Sequence, residues 1–255
     1  MTRIGIIGGT GWLGSAIARR GIAEGVIDPA RLWLSSRSPT EVPQGAHWTD
    51  DNATLIAESD LVVLSVRPAQ FRQMQIDLQG RPALSVMAGV SATEIARATV
   101  TARIIRALPN AMADSGMSWT PYWATDQAEA PEIALTQSLF TACGTAERVE
   151  DEAQIDYAAA LTGSGTAFPA LFAQAMIDHA IAQGMPEDRA ARAVLHLLTA
   201  ASQQLQQGGE SPAQVVKAFT DYAGTTAAGL NAMKAAGFTE AVHAGLSAAA
   251  EAAKP

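Results

Sequence analysis

Ile4-Gly5-Ile6-Ile7-Gly8-Gly9-Thr10-Gly11-Trp12-Leu13-Gly14, followed by Ser15-Ala16-Ile17-Ala18-Arg19-Arg20-Gly21-Ile22-Ala23, decides how the rest of the chain is read. The isoleucine run has the character of a parallel strand buried on both faces, and the second segment that of a helix. Strand, glycine turn and helix in that order build a seat for a diphosphate, because a helix start offers unpaired N–H groups and the positive end of its dipole. This reading gives Gly9 the tight turn, Gly11 the close approach of the diphosphate and Gly14 the packing of helix on strand. Thr10, Trp12 and Leu13, which lie between these glycines, join them as candidate cofactor contacts. Gly8 adds a further glycine, so Gly8-x-x-Gly11-x-x-Gly14 is a second register one residue away.

Outward from this turn, strand and helix signals alternate as far as residue 150. Arg31 to Ser35 reads as the second strand and runs into Ser36-Arg37-Ser38-Pro39-Thr40, where a dinucleotide domain meets the adenosine ribose. An acid there would bind the 2′-hydroxyl of NAD. Serines and an arginine instead suit a 2′-phosphate, with the guanidinium of Arg37 over the adenine and Ser36 and Ser38 on the phosphate. The expected cofactor is therefore NADPH, with NADH as the other candidate.

Asp51 to Glu58 reads as a short helix opened by an Asp or Asn cap. Leu61 to Val66 is a buried strand closed by Arg67-Pro68, Phe71 to Leu78 a helix, and Ala83 to Val86 a further strand. Ser91 caps the helix after that strand. Ligands of such sheets lie outside the carboxyl ends of strands, so Arg67, Pro68, Ala88 and Gly89 are expected along the crevice. Arg103 to Ala107 forms the next strand and leads to Asn110, which either orients nicotinamide or substrate or is a turn residue after Pro109. Trp119 to Trp123 is β-prone, Glu132 to Cys143 helical, and Thr145 to Val149 closes the sheet.

Past Asp151 strand signals vanish and alanine becomes dense. One helix is expected through Phe168 and Gln183 with a stop at Gly184. Another begins at Pro186-Glu187-Asp188 and ends at Gly208-Gly209, and Ser211-Pro212 caps a third. The fold class is α/β: a Rossmann-like doubly wound domain over residues 1–151, then an all-helical domain over 152–255. Long alanine-rich helices with apolar faces need a partner surface, which points to a homodimer with interlocked helices, open to further assembly. A self-contained bundle is the alternative.

Composition narrows the function classes. Hydrophobic residues make up 48% and charged ones 16% of 255 residues, as in a compact enzyme, and a formal net charge of −8 gives no general field for nucleic acid or anionic membrane. No apolar run approaches the roughly 20 residues of a membrane span, and the first residues lack the pattern of a secretory signal. Cys143 stands alone, and His47, His179, His196 and His243 show no metal-ligand spacing, so no metal is expected. These features suit a cytoplasmic protein.

The runs Ile4 to Gly14, Ser36 to Pro39, Ser65 to Gln70, Ala88-Gly89-Val90 and Arg106 to Asn110 share a further property with Leu161 to Phe168 and Gly224-Thr225-Thr226-Ala227-Ala228-Gly229-Leu230. In order and spacing they resemble the pyrroline-5-carboxylate reductases over nearly the whole chain. The resemblance implies an NADPH- or NADH-dependent reduction of a cyclic imine to proline in a homodimer. It places Gly9, Gly11 and Gly14 on the diphosphate, and Ser36, Arg37 and Asn52 on the adenosine ribose. Val66, Arg67 and Pro68 then stand beside the nicotinamide, and Gly224, Thr225 and Thr226 form the substrate site, with Thr226 at the imine. The residues agree, since a helix opening at Gly224-Thr225-Thr226 can receive a carboxylate.

Departures from the family pattern set the alternatives. Asp221-Tyr222-Ala223 replaces Ser-Pro-Gly ahead of Gly224, Ala111-Met112 replaces Thr-Pro, and Thr166 replaces proline. An ionised Asp221 in the substrate site would repel a carboxylate unless it caps a helix or meets a cation. One alternative is an imine reductase whose substrate lacks the carboxylate or carries a positive charge. The other is a non-catalytic NADPH-binding regulator.

Overall fold

The computed structural model describes residues 2–38 and 41–254. Its first compact unit runs to Gly165 and includes the segment from Ala248 onward; the second is Thr166–Ser247.

In the first unit the chain forms β1 (Ile4–Ile7), α1 (Trp12–Ala23), β2 (Leu32–Ser35), β3 (His47–Thr49), α2 (Asn52–Ala57), β4 (Leu61–Leu64) and α3 (Pro68–Phe71). It continues through β5 (Ala83–Ser85), α4 (Ala92–Thr99), β6 (Ile104–Ala107), β7 (Ser118–Ala124), α5 (Ala130–Ala142), β8 (Gly144–Arg148) and α6 (Glu152–Leu161). The strands make one sheet in the order β3-β2-β1-β4-β5-β6-β7-β8. Every pairing is parallel except β6 with β7. The first six positions follow the order of a dinucleotide-binding sheet.

The reason for this architecture is visible along the central strands. Ile4 and Ile6 of β1 and Leu61 and Val63 of β4 enter one apolar cluster with Ala16, Ile17 and Phe140. Ile7, Val62 and Leu64 enter the other with Leu55, Phe71 and Ile95. Alternate side chains therefore bury on opposite faces, and helices must cover both. The Asp51 carboxylate caps α2 by accepting the N–H groups of Ala53 and Thr54 at 3.0 Å each, and Ser91 caps α4 through the N–H of Glu94.

Three local expectations change. The first helix starts at Trp12, three residues ahead of Ser15, because the glycine turn closes at Gly11. Phe71 to Leu78 is not helical: α3 ends at Phe71, and the N–H groups of Ile76 and Leu78 donate to Ala98 and Thr99 carbonyls at the end of α4. The short β3, half exposed, adds a strand beyond β2.

Ile155 and Ala158 of α6 pack against Leu108, so this helix belongs with the sheet although it follows residue 151. In the second unit lie α7 (Ala167–Ala182), α8 (Glu187–Gln207), α9 (Pro212–Asp221), α10 (Thr225–Ala235) and most of α11 (Phe238–Ala252). Pairs α7 with α8 and α9 with α10 pack together, and Phe172 meets Phe238 edge to face. Its buried side chains among the described residues are Ala173, Ala190, Val194 and Ala227, whereas Leu171, Leu195, Leu197, Phe219 and Tyr222 stand in solvent.

Candidate functional site

Backbone hydrogen bonds close the glycine turn, among them one from Gly9 to the Ile6 carbonyl at 3.1 Å. Gly8 and Gly9 both donate to the carbonyl of Ser35, at 2.9 and 3.1 Å, and Gly11 donates to the carbonyl of Gly8 at 2.9 Å. Gly8 holds a φ of +80°, and a Cβ there would lie 2.2 Å from the Ser65 carbonyl oxygen. The tight turn therefore falls on Gly8 and not on Gly9, whose missing side chain would meet Leu34 and the Ile6 carbonyl. Gly14 packs as expected, since a Cβ on it would sit 2.7 Å from the Gly8 oxygen. The register is Gly8, Gly11, Gly14, with Gly11 as the residue before α1.

Beside the turn lies a cleft of about 330 Å³. Of the residues expected on the cofactor, Thr10, Gly11, Ser36, Arg37, Ser38, Asn52, Val66 and Arg67 line it. Gly9, Trp12, Leu13, Gly14, Pro68, Ala88 and Gly89 are not among its lining residues. Pro39 and Thr40, quoted with the same loop, lie outside the described residues. Reading the sequence missed Ser35, Asp50, Ser65, Gln70 and Met74, which also line the cleft. For three of them the signal was position, since Ser35 ends β2 and Asp50 and Ser65 directly follow β3 and β4, whereas Gln70 lies in α3 and Met74 beyond it.

One end of the cleft is held by hydrogen bonds among polar side chains. The Ser35 hydroxyl donates to Asn52 Oδ1 at 2.6 Å, Trp48 Nε1 donates to the Ser36 hydroxyl at 3.0 Å, and that hydroxyl donates to the Ser38 carbonyl at 2.7 Å. Arg37 is exposed, and among the described residues it has no ion-pair partner. A turn whose glycines leave no room for side chains, the free N–H groups of a helix start, hydroxyls and an arginine fit the diphosphate and ribose of a dinucleotide.

Around the remaining expected residues the geometry is also specific. The Gly89 carbonyl accepts from Arg72 at 2.8 Å, and Arg72 pairs with Glu94 at 2.8 Å. Asn110 caps a short turn, its side-chain oxygen accepting the N–H of Met112 at 2.9 Å, which is the turn role. A Cβ on Gly165 would approach Ala111 to 3.2 Å, so the turn that ends the Leu161 to Gly165 run rests on the loop after β6.

In the second unit, Gly224 precedes α10, and Thr225 and Thr226 occupy its exposed first turn. The carboxylate of Asp221, at the end of α9, pairs with Lys217 one turn earlier, so its charge is met by a cation. Ala223, where the family pattern has glycine, takes a left-handed φ of +55°.

Acid–base candidates are few. Burial pushes the Cys143 thiol up to about 11, which keeps it protonated and unreactive near neutrality. Among the described residues no group of His, Cys, Asp and Glu is arranged to hold a metal ion.

Sheet order, glycine turn and cleft together define a dinucleotide-binding protein of the Rossmann type. Residues 3–89 match the family model for NADP oxidoreductase, coenzyme F420-dependent, and residues 152–255 that for pyrroline-5-carboxylate reductase dimerisation. The chain is 31% identical to the pyrroline-5-carboxylate reductase of Pseudomonas aeruginosa across 79% of its own length and 76% of that protein. It is 29% identical to the Synechocystis protein of the same name across 94% of its length and 92% of that protein. The solved structure of a pyrroline-5-carboxylate reductase from Coxiella burnetii superposes with a TM-score of 0.88 at 26% identity, covering 99% of this chain and 97% of the other. The chain belongs to the pyrroline-5-carboxylate reductase family.

Proposed function

We propose that the protein reduces the C=N bond of 1-pyrroline-5-carboxylate to give L-proline, with NADPH as cofactor, as a cytoplasmic homodimer. The observation that carries this reading is a similarity to pyrroline-5-carboxylate reductases over 94% of the chain, beside a helix that opens at Gly224-Thr225-Thr226.

NADPH, when bound, supplies the hydride. The turn from Gly8 to Gly11 and the first N–H groups of α1 hold its diphosphate, and Ser36, Arg37 and Asn52 its adenosine end. Val66, Arg67 and Pro68, with Ala88 and Gly89, form the wall at the nicotinamide. The first turn of α10 receives the substrate carboxylate, and the Thr226 hydroxyl orients the imine. A protonated imine is already an electrophile, so these residues have to hold it in position and keep water away, without a separate acid–base catalyst.

The exposed apolar residues of α7 to α11 and the match to a dimerisation family support a second copy as their cover. A lone buried Cys143 suits a reducing compartment. Among the described residues no helix is long and apolar enough to cross a membrane. The ion pair of Asp221 with Lys217 weighs against a site that selects cationic imines.

Purified protein supplied with NADPH and pyrroline-5-carboxylate is expected to consume the cofactor and release proline in equal amounts. Absence of turnover at high enzyme concentration with either reduced nucleotide would refute the assignment.

A further inference from the structure

Two residues of opposite charge, on the loops that leave the paired strands β2 and β3, line the nucleotide cleft. Arg37 follows the end of β2, Asp50 follows β3 directly, and both line the cleft as exposed side chains. Their placement is fixed by the pairing of Ser35 with Thr49 and by the hydrogen bonds from Ser35 to Asn52 and from Trp48 to Ser36. The two side chains do not form an ion pair with each other, and among the described residues Asp50 has no hydrogen-bond partner.

Asp50 does not cap α2. The cap of α2 is its neighbour Asp51, whose carboxylate already takes the N–H groups of Ala53 and Thr54. In doubly wound domains an acid at the ribose end accepts a hydrogen bond from the 2′-hydroxyl of the unphosphorylated nucleotide, while an arginine accommodates the 2′-phosphate. This cleft carries both signals, and the acid directly follows the short third strand.

We infer that Asp50 is a specificity-determining residue that restrains the preference for the phosphorylated nucleotide. A 2′-phosphate brings a charge of about −1.5 to −2 near neutral pH. Arg37 attracts that charge and Asp50 repels it, whereas a free 2′-hydroxyl is welcome to the carboxylate. Asp50 thereby narrows the gap between NADPH and NADH affinity that Arg37 opens. The inference rests on the nucleotide reading of the cleft given above.

Equilibrium titration of the full-length protein with NADPH and NADH, followed by nucleotide fluorescence without imine, tests it on wild type, Asp50→Asn and Arg37→Ala. Asp50→Asn should raise the ratio of NADPH to NADH affinity by about three- to tenfold, the size of one like-charge contact at a solvated site. Arg37→Ala should lower the same ratio, and the gain in Asp50→Asn should shrink at about 0.5 M salt. Asp50→Ser serves as a second variant should the first not fold, with the same expected direction. A ratio within twofold of wild type while both nucleotides still bind, or a shift toward NADH, overturns the inference and leaves the nucleotide site standing. Failure of wild type to bind either nucleotide at millimolar concentration overturns both.

Discussion

Arg106 Nη1 lies 2.7 Å from Glu152 Oε1, and that same oxygen accepts the N–H of Ala92 at 2.6 Å. The other terminal nitrogen pairs with Asp156 at 2.7 Å, while Nε has no partner. One buried cation thus ties β6, the start of α4 and α6 together. The guanidinium is 1% exposed, whereas the carboxylate side chains are 26% and 24% exposed. Removing both acids would strand a charge that water cannot reach, but removing the arginine would leave acids that water can reach. Glu152→Ala with Asp156→Ala should therefore cost about 3–5 kcal/mol, and Arg106→Leu distinctly less. Urea unfolding of the two variants measures this, and the opposite ranking would contradict it.

Gly8 offers a sharper test of the turn. Alanine there combines a left-handed backbone with a Cβ 2.2 Å from a carbonyl oxygen, whereas Gly25 has φ +71° and open space around it. Gly25→Ala should cost about 1 kcal/mol from backbone strain alone. Gly8→Ala should cost about 3 kcal/mol or more and abolish nucleotide binding. Thermal unfolding with and without NADPH separates the two; equal losses would show that the carbonyl contact does not matter.

Ala223 presents the reverse case. It holds φ +55° just ahead of α10, a conformation that glycine adopts freely. Ala223→Gly should leave stability unchanged or raise it by up to about 1 kcal/mol, because relief of strain opposes the greater freedom of the unfolded chain. Denaturation at one fixed protein concentration checks this, and a clear loss of stability would mean the strain is absent in solution.

The ion pair between Lys217 and Asp221 bears on substrate affinity if the carboxylate binds at the start of α10. Lys217→Ala would leave Asp221 uncompensated and should raise KM for pyrroline-5-carboxylate several-fold, with kcat little changed. Asp221→Ser should lower KM. Steady-state kinetics at low ionic strength, where exposed charges act furthest, provides the measurement. Unchanged KM in both variants would place the carboxylate elsewhere.

Most of the sheet could be read from the chain because β1 and β4 are apolar runs buried on both faces, and β6 is as fully buried with Arg106 as its one charged residue. Helix starts were legible where a side chain does the capping, as at Asp51, Ser91 and Ser211. Phe71, Met74 and Leu78 imitate helical spacing, yet beyond Met74 the backbone is claimed by tertiary hydrogen bonds from the N–H groups of Ile76 and Leu78 to the end of α4. His47, Trp48 and Thr49 form too short and too exposed a run to announce a strand. That gap hid Asp50, while Ser36 and Arg37 were found because β2 was recognised. The shift of the tight turn from Gly9 to Gly8 was also beyond pattern alone, since two adjacent glycines fit the same spacing.

The second unit buries alanines and one valine while Leu171, Leu195 and Tyr222 face water. Where a twin chain is their shelter, survival of the folded enzyme becomes a matter of dilution. Newly made chains at low abundance would face a bottleneck of encounter, and refolding yield would climb with concentration until clumping of unpaired chains overtook it.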